Sequence, residues 1–150
     1  MGLSELCNRS VVVTPAKTPV QEASRLMREH HVGSLVVVEE TARGRRPVGI
    51  VTDRDIVVEV VAAGVAPATV TVGEIMGPEL VTAREADEPW DTIRVMRERG
   101  VRRMPVVGDD GLLVGIVTVD DLLEILAEQL DGLAKVISAE QTREARSRSS

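Results

Sequence analysis

Residues 48–55 read VGIVTDRD and residues 114–121 read VGIVTVDD, so one short phrase occurs twice in a chain of 150 residues. In each copy an apolar strand ends in a Thr, with an Asp three residues on. Such a strand delivers a hydroxyl and a carboxylate to one spot. A supersecondary unit used twice commonly packs about a pseudo-twofold axis with a cleft on it.

The repeat is wider than this phrase. Shifting the chain by 69 positions lays Ser4–Val38 on Gly73–Val107 without a gap, matching Glu5 to Glu74, Val12 to Val81 and Met27-Arg28-Glu29 to Met96-Arg97-Glu98. The second GIVT block needs a shift of 66, so the first copy holds three extra residues between Val38 and Val48. They fall in the polar stretch EETARGRRP, where a hairpin loop lengthens at little cost.

Each repeat reads strand, helix, strand, strand, helix. In the first, Val11–Thr14 is a strand. Thr18 and Glu22 have capping-box spacing around Pro19, and Val20, Ala23, Leu26 and Met27 recur at helical spacing up to Gly33. Leu35–Glu39 and Pro47–Thr52 are two strands, followed by a helix over 53–63 that ends at Gly64. In the second, Val81 centres a strand and Asp87 is placed to cap a helix running through Trp90, Ile93 and Met96 to Gly100. Met104–Val107 and Leu113–Thr118 pair across Gly108-Asp109-Asp110-Gly111, whose Asp-Gly is a hairpin signal. A last helix starts at Val119, and the apolar-free end REARSRSS predicts disorder.

Composition narrows the function classes. Hydrophobic residues make up 43%, enough for a packed core, while aromatics make up 1%, so the core is built from Val, Ile, Leu, Ala and Met. The net charge of −6 argues against a chain that holds nucleic acid by its overall field. One cysteine, Cys7, makes no internal disulfide and points to a reducing compartment. No apolar run reaches the roughly 20 residues of a membrane span. The first residues lack the regions of a signal peptide. The expectation is a cytoplasmic protein without a membrane segment.

This order of elements, with GIVT-x-x-D twice, resembles a pair of CBS domains. VGEIM at 72–76 and GVRRMPVV at 100–107 match the family's lead-in and second-strand phrases, and LSELC at 3–7 is a weaker first lead-in. The resemblance covers roughly residues 3–130. It implies an α/β (α+β) fold of two β-α-β-β-α repeats about a pseudo-twofold axis. Repeat 1 is expected over 1–70 and repeat 2 over 71–130, with a C-terminal helix extension and disordered tail over 131–150.

The resemblance also implies ligands and sites. Modules of this family bind adenosine-containing compounds, here AMP, ADP, ATP or S-adenosylmethionine, in two clefts between the repeats. Asp would accept from the ribose hydroxyls. Thr at a helix start would sit beside free N–H groups that suit a phosphate. One site is implied to combine Thr118, Asp120 and Asp121 with Val12, Val32 and Gly33, with Arg103 as the phosphate contact. The other combines Thr52, Arg54 and Asp55 with Val81, Val101 and Arg102. In the second, Ser34 stands where the first has Arg103, and Arg54 takes the place of Asp120, so the clefts differ in chemistry. The first is favoured for a nucleotide because of Arg103. Neither cleft offers a Phe or Tyr, so an adenine would rest on aliphatic walls.

Plainer readings stand beside these. Thr-x-x-Asp also describes a helix cap worth about 1 kcal/mol with or without a ligand. Arg102 and Arg103 also read as solvated charges. His30 and His31 are adjacent and would point about 100° apart on a helix, which does not grip one metal. No Ser/His/Asp set, Walker loop or GxGxxG is present, so no enzyme and no cofactor or metal is expected. The leading expectation is a stand-alone regulatory sensor acting in trans on a protein target. It would form a homodimer through apolar faces around Leu26, Trp90 and Leu122–Leu126. The other is a ligand-free dimeric scaffold for a protein partner.

Overall fold

The computed structural model describes residues 2–149. The chain through Val117 forms one compact unit, and the chain from Thr118 onward a second. The first unit begins with the short helix α1 (Leu3–Leu6), then β1 (Val13–Pro15), α2 (Val20–His30), β2 (Ser34–Thr41) and β3 (Gly44–Thr52). After β3 come α3 (Asp53–Ile56) and a π-helical turn over Val57–Val61. The second half repeats the order with α4 (Val72–Ile75), β4 (Ala83–Arg84), α5 (Pro89–Arg99), β5 (Arg103–Val107) and β6 (Leu113–Thr118).

The strands make two three-stranded sheets, ordered β1-β2-β3 and β4-β5-β6. In the first, β1 runs parallel to β2, with Val13 opposite Val36, and β2 runs antiparallel to β3, with Leu35 opposite Val51. In the second, β4 runs parallel to β5, with Ala83 opposite Val106. The mixed α/β architecture is the expected fold class. Under the first sheet Ala23 and Met27 of α2 meet Leu35, Val37, Val51 and Val72 in one buried cluster. The Val, Leu and Met side chains among them each contribute about 1.5–3 kcal/mol when fully withdrawn from water.

Several boundaries move from those expected, each for a visible reason. The three extra residues of the first hairpin extend its arms instead of loosening its loop. Glu39 and Arg46 face each other and form an ion pair, as do Glu40 and Arg45 at 3.0 Å. The first strand begins two residues later and ends one later than expected, and Val81 lies outside the short β4. Thr18 does not cap α2. Its hydroxyl accepts from Thr14 at 2.7 Å and Pro19 occupies the N-cap, while Glu22 pairs with Arg25. Asp87 does not cap α5 either, because its carboxylate accepts the Arg84 N–H at 2.9 Å. The helix after Thr52 leaves α geometry at Val57.

The second unit is dominated by α6 (Val119–Ser149). The expectation of disorder from Arg143 on is corrected: the helix runs through to Ser149. Gln141, Arg143, Glu144, Ala145 and Arg146 are strong helix formers, and an existing helix extends at low cost where no Gly or Pro interrupts it.

The ends of α2 and α5 show the repeat at the level of one dihedral. Gly100 terminates α5 in the left-handed conformation at φ 66°, and His31, 69 positions earlier, terminates α2 at φ 53°. A left-handed residue with a Cβ is strained by about 1 kcal/mol relative to glycine. His31→Gly is therefore expected to stabilise the fold by about 0.5–1 kcal/mol, read as a higher urea midpoint at unchanged slope.

The two lead-ins are exchanged between halves. The N–H groups of Leu3 and Ser4 donate to the carbonyls of Asp87 and Glu85, both at 2.9 Å. Those of Val72 and Gly73 donate to the carbonyls of Thr18 and Ala16, again at 2.9 Å. Each pair is the other shifted by 69 positions. The crossing continues onto the repeated phrase: Asn8 and Ile116 exchange two backbone hydrogen bonds at 2.9 Å, and Met76 lies against Gly49. The segment 65–72, which joins the two halves, is pinned as well, since Val20 N–H donates to the Val70 carbonyl and Gln21 N–H to that of Pro67.

Candidate ligand cleft

The shared letters of the repeated phrase first of all start helices. At the end of β3, Thr52 is extended and its hydroxyl oxygen accepts the Asp55 N–H at 3.1 Å, while Asp55 Oδ2 accepts the Thr52 N–H at 2.9 Å. At the start of α6, the hydroxyl of Thr118 accepts the Asp121 N–H at 3.1 Å, and Asp121 Oδ2 accepts the Thr118 N–H at 3.3 Å. Both are capping boxes of the kind expected from the spacing. A box engages one carboxylate oxygen and one hydroxyl lone pair. It leaves the other carboxylate oxygen and the hydroxyl proton available, so capping and ligand contact are compatible.

In the first unit this box borders a cavity of about 460 Å³. Its lining comes from three places: Ile50 and Thr52–Asp55 at the end of β3, Gly77 and Glu79–Val81 after α4, and Gly100–Arg103 before β5. Every residue assigned to the Asp55 site, namely Thr52, Arg54, Asp55, Val81, Val101 and Arg102, lies on this wall. Its size falls within the range of small-molecule pockets. Ile50, Leu80, Val81 and Val101 form aliphatic walls, and the charged groups are Arg54, Arg102 and Arg103 against Asp53, Asp55 and Glu79. Glu79 also meets Arg99 at 3.4 Å, so its charge is partly answered from outside the cavity.

Arg103, which the resemblance implies for the other cleft, lines this cavity beside Arg102. Ser34 therefore does not leave the Asp55 cavity short of a cation. Of the remaining assigned residues, Val12 and Val32 are half-buried against the first sheet's core. Gly33 accepts the Asp53 N–H at 2.9 Å, and a Cβ there would meet Asp53 Oδ2 at 3.1 Å. Asp120 lies exposed in the first turn of α6. Sequence reasoning missed Ile50, Asp53, Gly77, Glu79, Leu80 and Gly100. The signal for Glu79 and Leu80 was their position just before Val81, in the Gly-Pro loop that follows the lead-in.

Among the described residues no helix is long and apolar enough to cross a membrane, and no group of three or more His, Cys, Asp or Glu side chains is arranged to hold a metal ion. The family model of the CBS domain matches this chain twice, over residues 3–62 and 72–128. The chain belongs to the CBS-domain family. An uncharacterized protein of Methanopyrus kandleri is 38% identical over 126 residues, 83% of this chain and 62% of that relative, so the chain spans less than two thirds of its length. The crystal structure of Hypoxic Response Protein I with two coordinated zinc ions superposes with a TM-score of 0.73 at 32% identity, covering 83% of this chain and 98% of that one. The CBS domain pair of protein MJ0100, in complex with 5′-methylthioadenosine and S-adenosyl-L-methionine, superposes with a TM-score of 0.72 at 27% identity, covering 86% of this chain and 98% of that one. CBS pairs are regulatory ligand-binding modules, and this chain carries two CBS repeats.

Proposed function

We propose that this CBS pair binds an adenosine-containing ligand, AMP, ADP, ATP or S-adenosylmethionine, in the cavity bordered by Thr52 and Asp55. Occupancy would be signalled by a change in shape or association. The observation that carries this reading is the composition of that one wall. A cavity of about 460 Å³ brings a hydroxyl, three carboxylates and three guanidinium groups together against aliphatic side chains. Asp55 accepts the ribose hydroxyls with the oxygen its cap leaves over. Arg54, Arg102 and Arg103 hold phosphate, and Ile50, Leu80, Val81 and Val101 flank the base. The adenosyl compounds bound by the MJ0100 pair support this choice of ligand class. The chain acts as a regulator, not a catalyst, and ligand binding shifts its conformational population only by the difference in affinity between states.

A second reading rests on a separate observation. Val57, Val61 and Trp90 are 56%, 67% and 63% exposed, which favours association into a homodimer or with a protein target. A ligand-free scaffold would use the same faces.

Thermal unfolding in the presence of AMP, ADP, ATP and S-adenosylmethionine separates the two. A ligand at 100 times its Kd stabilises by about 2.7 kcal/mol, which raises the melting temperature of a chain this size by roughly 5–10 °C. A rise with at least one compound, with a matching calorimetric isotherm, is the expected result. No rise with any of them at millimolar concentration overturns the sensor reading and leaves the scaffold.

A further inference from the structure

Helix α6 outlasts the CBS repeats: the family match ends at residue 128 and the helix continues through Ser149. Its apolar residues are not scattered. Val119, Leu123, Leu126, Leu130, Leu133 and Ile137 follow one another at steps of four and three residues in strict alternation. That is the 3.5-residue period of a coiled-coil seam, with Leu123, Leu130 and Ile137 at a and Val119, Leu126 and Leu133 at d. The seam is open, with Leu123, Leu130, Leu133 and Ile137 between 57% and 65% exposed. Beside it Ala127 and Ala134 at e are small, while Gln129 and Val136 at g carry no charge. Asp120, at the first e position, is the one charge on these flanks, and an antiparallel pair lays it beside Val136 and not beside a second acid. At the next two seam positions stand Glu140 and Glu144, which end it.

The charges select an orientation. Between 119 and 131 the helix carries Asp120, Asp121, Glu124, Glu128 and Asp131 and no base, whereas Lys135, Arg143, Arg146 and Arg148 all lie beyond. A parallel pair would lay five acids beside five acids and align the two helix dipoles. An antiparallel pair moves Asp120 and Asp121 of the two helices to opposite ends, opposes the dipoles, and lays Lys135 level with Asp121 of its neighbour. Antiparallel packing sets a opposite d. Placing Leu126 against Leu130 of a second copy also places Leu123 against Leu133 and Val119 against Ile137, so every layer of the seam is apolar.

We infer that α6 pairs with α6 of a second copy of this chain as an antiparallel coiled coil over residues 119–137, about 28 Å long. This pairing is independent of the ligand reading, and neither test bears on the other.

Disulfide trapping in the full chain, with Cys7→Ala as background, tests both contact and orientation. Leu123→Cys and Leu133→Cys proteins are expected to cross-link to each other when mixed, and hardly at all alone, because like positions lie about 15 Å apart along the antiparallel pair. Lys135→Cys, outward at f, serves as the baseline when mixed with Leu123→Cys. Self-cross-linking of Leu123→Cys as fast as the mixed reaction would establish a parallel pair and overturn the proposal. Mixed cross-linking no faster than the Lys135→Cys baseline overturns it as well. Leu130→Glu gives an independent reading by sedimentation. The expected result is self-association weakened at least tenfold with an unchanged far-ultraviolet spectrum, and unchanged association refutes the seam.

Discussion

Gly115→Val is expected to destabilise the fold by about 4 kcal/mol, lowering the melting temperature by roughly 8–16 °C. A Cβ at Gly115 would stand 2.7 Å from the Asn8 carbonyl oxygen and 2.8 Å from Cys7 Sγ. The first of these is backbone and cannot rotate away. To admit a side chain, the crossing segment must lift off β6, which breaks the paired hydrogen bonds between Asn8 and Ile116. Gly49→Val is expected to cost less, because the atoms it meets belong to the flexible side chain of Met76. Scanning calorimetry on both variants checks the size and the order. Equal melting temperatures for Gly115→Val and the unaltered chain would rule out the contact.

Asp55→Ala is expected to weaken adenosyl-ligand binding about 10- to 100-fold, the loss typical of a charged hydrogen bond. It also removes the cap on α3, at about 1 kcal/mol of stability. Asp55→Asn separates the two roles. Its amide oxygen still accepts the Thr52 N–H, so most of the stability returns, while the ionised acceptor for the ribose does not. Isothermal titration beside urea unfolding reads both quantities on the same preparations. If Asp55→Ala binds as tightly as the unaltered chain, Asp55 is a cap alone.

What could be read from the sequence was whatever depends on neighbours along the chain. The apolar run VGIVT became the end of β3 and most of β6, the Thr-x-x-Asp spacing became two capping boxes, and Gly100 ended its helix. The residues gathered around Asp55 were legible only through the resemblance to CBS pairs, which implies a site crossing between the repeats. The misses share a cause. Thr18 and Asp87 have good capping chemistry, but their side chains are taken by Thr14 and by the Arg84 N–H, and their carbonyls by the lead-in of the opposite half. For Arg103 no local pattern says which cavity a strand's first side chain lines, and its place beside Arg102 was not legible. At the C-terminus low apolarity points to disorder, whereas helix propensity continues α6.

The exchanged lead-ins set an order in time. Val72 belongs to the core cluster beneath the first sheet, so that core stays incomplete while synthesis has not passed residue 72. The N-terminal lead-in waits longer, since its acceptors on Glu85 and Asp87 and its partner Ile116 come later still. These are contacts of high sequence separation, which slow folding because the chain between them must be ordered before they form. A nascent chain released early would therefore expose the apolar face of α2 and offer Leu3 no place to dock. Neither half matures alone, and the chain completes both together once β6 has been made.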